Sequence, residues 1–124
     1  MTKEFLYREL SFQIIGLVYK VYNELGFGHR EKIYQRALTQ ELIISQIHFD
    51  KEYYVPIFYN NKIISKYYFD LLVEKKIIIE LKVGNEILDS YIDQALSYLK
   101  STDIKLALIF VITKRGVKIK RLIN

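Results

Sequence analysis

The chain has no cysteine. Disulfides, thiolate-ligated zinc and iron–sulfur clusters are therefore excluded. Its two histidines, His29 and His48, are too few and too far apart in sequence to argue a metal site by themselves. No apolar stretch approaches the roughly 20 residues of a membrane span, so no membrane role is expected. Met1-Thr2-Lys3-Glu4-Phe5 starts with charge but lacks the apolar segment and small-residue cleavage site of a signal peptide. These absences set the expectation of a cytoplasmic protein, although lack of cysteine alone fits either compartment. Repeats, linkers and low-complexity tracts are also absent.

What is present is a chain of 124 residues, half of them hydrophobic and many of them tyrosine. That length and composition predict one folded domain, residues 1–124, with a substantial core. The net charge of +5 favours a polyanionic partner only mildly. Leu10, Ile14, Leu17, Val18, Val21 and Leu25 recur at helical spacing, predicting a helix over 8–25 that Gly26 and Gly28 end. A second helix is expected over 29–45. Strands follow over 49–59 and 62–73, joined at the turn signal Asn60-Asn61. Pro56 marks the first of them as an edge strand or a bulge. A third strand over 76–83, a helix over 86–100 and strands over 104–113 and 117–123 complete the order ααβββαββ. That order predicts an α/β fold, a mixed sheet flanked by helices.

Charge interrupts two of these apolar strands. The third carries Glu80 and Lys82, two residues apart and thus on one face. The second carries Asp70. If the connecting loop is Glu74 to Lys76, Val73 pairs with Ile77 and Asp70 falls opposite Glu80. Buried charge is costly unless paired or bound to metal. Two carboxylates meeting without cysteine suit a hard ion such as Mg²⁺ or Mn²⁺, and a lysine beside them could stabilise phosphoryl charge or orient water. A structural ion pair is the plainer alternative.

Four other groups remain open on the residues alone. Glu31 lies on the inward face of its helix, but a carboxylate in a first turn also favours the helix dipole. Gln94 and Tyr98, four apart, could point together at the hairpin or be a boundary pair. Lys114, Arg115, Lys118 and Lys120 could contact phosphates without sequence preference, or guard an edge strand. The aromatic series Tyr53, Tyr54, Phe58, Tyr59, Tyr67, Tyr68 and Phe69 reads first as sheet packing and second as base stacking.

Gly28-His29-Arg30-Glu31-Lys32-Ile33-Tyr34 resembles the Gly-x-x-Glu-x-x-Tyr signature of the small GxxExxY proteins, members of the PD-(D/E)xK nuclease superfamily. Phe69-Asp70, Glu80-Leu81-Lys82 and Gln94-Ala95-Leu96-Ser97-Tyr98 continue the resemblance in order and with similar spacing. Phe69 stands where the superfamily name has proline, a position often replaced. The resemblance implies a restriction-endonuclease-like αβββαβ core and a metal-dependent nuclease acting on DNA, with a place in DNA repair or recombination. By it, Asp70, Glu80 and the Leu81 backbone carbonyl bind Mg²⁺ or Mn²⁺, and Lys82 assists the nucleophilic water. Glu31 completes the acidic site, directly or through water, and Gln94 with Tyr98 matches a Gln-x-x-x-Tyr element. The small size favours structure-directed or non-specific cutting, or a homodimer that spans two strands. The alternative is a nucleic-acid-binding or interaction module on a nuclease scaffold with little cleavage of its own.

Overall fold

The computed structural model describes residues 6–124. Helices α1 (Arg8–Leu25) and α2 (Glu31–Ile44) precede a hairpin of β1 (Phe49–Tyr59) and β2 (Lys62–Val73). Strand β3 (Ile77–Val83), helix α3 (Asp89–Lys100), and strands β4 (Leu106–Thr113) and β5 (Gly116–Ile123) follow. The five strands lie side by side in chain order. Only β3 and β4 run parallel, because the α3 crossover returns the chain to the same end of the sheet. This is the expected mixed sheet with flanking helices.

Strand β4 is buried along its whole length, as its unbroken apolar run requires of a strand covered on both faces. Two cores result. Helices α1 and α2 place Ile14, Val18, Tyr34 and Leu38 against Leu71, Ile79, Leu81 and Phe110 on one face. Helix α3 places Ala95, Tyr98 and Leu99 against Leu72, Ile78, Ile109 and Val111 on the other. A Leu→Ala change at a site such as Leu81 should cost about 2–5 kcal/mol.

Three elements begin two or three residues later than the sequence expectation, and the starts of β3 and β5 each shift by one. Helix α2 begins at Glu31 rather than His29, because Gly28 takes φ +120° and Arg30 is extended at the N-cap. The Tyr34 hydroxyl donates to the Gly26 carbonyl at 2.6 Å and accepts from the His29 N–H at 3.3 Å, which holds this entry loop. Helix α3 begins at Asp89 rather than Glu86, after an extended Leu88. Strand β4 begins at Leu106 rather than Ile104, whose N–H instead goes to the Thr102 hydroxyl at 3.2 Å. Pro56 lies on β1, which is the sheet's edge, beside a register shift at Ile57/Phe58.

Candidate active site

Val73 pairs with Ile77 as the three-residue loop requires, and the β2–β3 ladder runs to Leu71↔Ile79. It then stops, one pair before Asp70 and Glu80. On the other side of β2, pairing passes from Lys51↔Leu71 to Tyr53↔Phe69, and the intervening Glu52 takes φ +49°. The alternation of β2 slips at the same point. Leu71 and Val73 face the α2 side, while Leu72 and Phe69, three apart, both face α3. Asp70 thus sits where its strand is released from regular pairing with both neighbours.

Side chains replace the missing ladder. The Leu81 N–H, which a continued register would give to Phe69, donates to Asp70 Oδ2 at 2.9 Å. The Asp70 N–H donates to Glu80 Oε1 at a longer 3.4 Å. The N–H and C=O of one strand residue point to the same side, so the Leu81 carbonyl faces the same gap. Glu80 is 3% exposed, and its carboxyl lies within hydrogen-bonding reach of the Asp70 carboxyl. Burial first, and the Asp70 charge second, push the Glu80 pKa well above the usual carboxylate range. Glu80 therefore favours its protonated form when no cation is present, because a buried carboxylate beside the Asp70 charge is costly.

Three elements bring further groups to this gap. Lys82, on the α3 side, donates from Nζ to Gln94 Oε1 at 3.3 Å. Its ammonium also lies 5.4 Å from the Tyr91 ring centroid, within cation–π range. Glu31, at the start of α2, is half-buried. Burial raises its pKa, the Lys82 charge opposes that rise, and the Asp70 charge adds to it. Glu31 and Asp70 line one cleft of about 500 Å³ with Lys32, Gln35, Glu52 and Tyr68. Tyr98 is buried beneath the site, its ring 4.7 Å from Phe69 and 5.0 Å from Tyr67. Burial, then the charges of Glu80 and Asp70, raise its phenol pKa.

Glu31 and Gln94 approach the hairpin from opposite faces of the sheet, since α2 belongs to one core and α3 to the other. The gap between β2 and β3 is what lets both faces reach Asp70. Lys118 and Lys120 are exposed on the edge strand β5. Lys118 pairs with Val111, and Val111 with Lys82. Lys120 pairs with Ile109, and Ile109 with Glu80. Both lysines therefore share the site's α3-side face, two strand spacings or roughly 10 Å away. Lys114 and Arg115 sit with Lys118 and Asn85 at the end of the sheet.

Sequence reasoning missed Tyr91, although it is three residues from Gln94 and so shares its helix face. It also missed Lys32, Arg36 and Lys51, which line a 160 Å³ hollow that shares Asp70 with the larger cleft. Their signal was absent from the chain order, since Lys51 meets α2 only through the fold.

Among the described residues, no three histidine, aspartate or glutamate side chains gather closely enough to hold an ion by themselves. The donors present still fit a hard divalent ion: two neighbouring carboxyls, one of them raised in pKa by burial and by the other's charge, with a backbone carbonyl facing the same gap.

A mixed sheet whose central β2–β3 pair opens around Asp, Glu and Lys, with helices on both faces, is a restriction-endonuclease-like α/β fold. Residues 8–122 match the PD-(D/E)XK nuclease superfamily, and the chain belongs to it. A crystal structure of SSO0001 shares the fold with a TM-score of 0.59 at 19% identity, covering 95% of this chain. The chain spans 59% of that protein's length. No curated protein matches it. Among the described residues, no helix is long and apolar enough to cross a membrane.

Proposed function

We propose that this chain is a Mg²⁺- or Mn²⁺-dependent nuclease of the GxxExxY type that hydrolyses phosphodiester bonds in DNA. The meeting of the Asp70 and Glu80 carboxyls in the β2–β3 gap, with Lys82 beside them, carries this reading. Asp70, Glu80 and the Leu81 carbonyl would hold the ion, and Glu31 would reach it through water. The bound ion supplies polarisation of the phosphoryl group and a lower pKa for bound water.

The chain's own side chains do the rest. Lys82 is tethered by Gln94 and backed by Tyr91, so its Nζ is positioned to donate to a phosphoryl oxygen or to the attacking water. Gln94 acts by positioning Lys82. Glu31 adds negative charge opposite Lys82 and, with its raised pKa, can take up a proton from water. Tyr98 closes the floor of the site and keeps solvent from the buried face of Glu80. Lys118 and Lys120, with Lys114 and Arg115 beyond them, extend positive charge from the site for a polyanion.

We infer structure-directed or non-specific cutting in repair or recombination, by a cytoplasmic protein that dimerises to reach two strands. The test is cleavage with added Mg²⁺ or Mn²⁺ on linear, single-stranded, flapped and four-way-junction DNA, beside Glu80→Ala. Cleavage that needs the ion and is lost in the variant is expected. Metal-dependent cutting that survives Glu80→Ala would reject the reading.

A further inference from the structure

The aromatic series divides between the two faces of the β1–β2 hairpin. Tyr53, Tyr67 and Phe69 pack on the α3 side around Tyr98. Tyr54 and Tyr68 face the other way, and are 45% and 49% exposed. They oppose each other across the ladder with ring centroids 5.6 Å apart. The Lys66 ammonium lies 5.7 Å from the Tyr68 centroid. Phe58, which shares Tyr54's face by alternation, and its partner Ile63 continue the exposed apolar surface toward the hairpin's tip. Contiguous exposed apolar surface of this kind marks an interaction site.

Its position names the partner. Tyr68 lines the same cleft as Asp70 and Glu31. It is two residues from Asp70, about 7 Å of strand. Beyond Asp70 the hairpin has no ladder with β3, so this surface runs outward from the mouth of the gap. Lys32, Arg36 and Lys51 stand along the adjoining hollow, and Lys66 stands over the strip. Glu31, Glu52 and Asp70 also line the cleft, and Glu52 and Asp70 the hollow. Cations interleaved with exposed aromatic rings suit a chain that carries phosphates and flat unpaired bases. A base inside a duplex is stacked on its neighbours and cannot offer its face. A second copy of this basic chain would bring like charge to the same walls.

We propose that the Tyr54–Tyr68 strip is a stacking platform for single-stranded nucleic acid, which guides an unpaired strand into the Asp70 cleft. The proposal deepens the nuclease reading and rests on it for the cleft's chemistry.

Binding of the full chain to a labelled oligodeoxynucleotide and to its duplex, measured by fluorescence anisotropy in EDTA, tests the platform. Tyr54→Leu and Tyr68→Leu should each weaken single-strand binding roughly 5- to 150-fold, the range for losing one base–aromatic stack. Tyr54→Phe and Tyr68→Phe should restore it, and duplex binding should change far less. Equal losses on both probes, no loss, or no wild-type preference for the single strand overturns the proposal. So does a wild-type dimer that the double leucine variant splits in sedimentation, because the strip is then an interface between copies. Because binding is read without divalent ions, an inactive protein that still shows this pattern sinks only the nuclease reading. An active enzyme indifferent to the leucine changes sinks only the platform.

Discussion

Glu80→Gln should stabilise the metal-free protein, and by more as pH rises. The raised pKa of Glu80 means that the folded state holds a proton which the unfolded chain, with an ordinary value of 4.5, gives up. Where the folded state binds more protons, stability falls as pH rises. This contribution is intact below the unfolded pKa and is lost progressively up through the raised folded value. The limiting slope is about 1.4 kcal/mol per pH unit, so wild type should lose up to about 2.7 kcal/mol from this group between about pH 5.5 and pH 7.5. A glutamine keeps the shape, still accepts from the Asp70 N–H and can donate to the Asp70 carboxylate, but it does not titrate. Urea unfolding of both proteins in EDTA across that range measures the difference. The two stability curves should meet at acid pH and diverge toward neutrality. Parallel curves would refute the proton held on Glu80 and, with it, the reason a cation is welcome there.

Lys82→Ala should lower turnover roughly a hundredfold or more with DNA and metal affinity nearly intact, as single-turnover kinetics and a binding isotherm would show. Wild-type rates would make Lys82 only a structural partner of the carboxylates. Glu31→Gln should reduce metal-dependent turnover with little loss of stability. A stability loss of about 0.3–1 kcal/mol with full activity would assign Glu31 to the α2 dipole alone. Charge reversal at Lys118 and Lys120 should weaken DNA binding alike across sequences and flatten its salt dependence. Sequence-selective loss would contradict that role.

Much of this fold is legible in the chain because its signals are local. The stripe from Leu10 to Leu25 and the unbroken run of β4 each leave one economical structure, and both elements appear, α1 at its expected bounds and β4 starting two residues late. The Val73–Ile77 pairing follows from the length of the Glu74–Lys76 loop. The site is less legible because it depends on irregularity. Strict alternation puts Asp70 opposite Glu80 in a continuous ladder, whereas the ladder ends at Leu71↔Ile79 and the Asp70 carboxylate takes over a backbone hydrogen bond. Nothing local in Phe69-Asp70-Leu71 announces that slip. Glu52, across the strand at φ +49°, is its partner in the distortion and lies 18 positions earlier in the chain. The division of the tyrosines follows from the same slip, since it decides which ring faces Tyr98 and which faces the cleft.

Anomalous diffraction from a crystal soaked in Mn²⁺ tests the central claim most directly. The account predicts an ion in the β2–β3 gap, about 2.0–2.4 Å from oxygens of Asp70, Glu80 and the Leu81 carbonyl. An ion bound elsewhere while the protein cuts DNA, with the Asp70–Glu80 carboxyl contact unchanged, would contradict it.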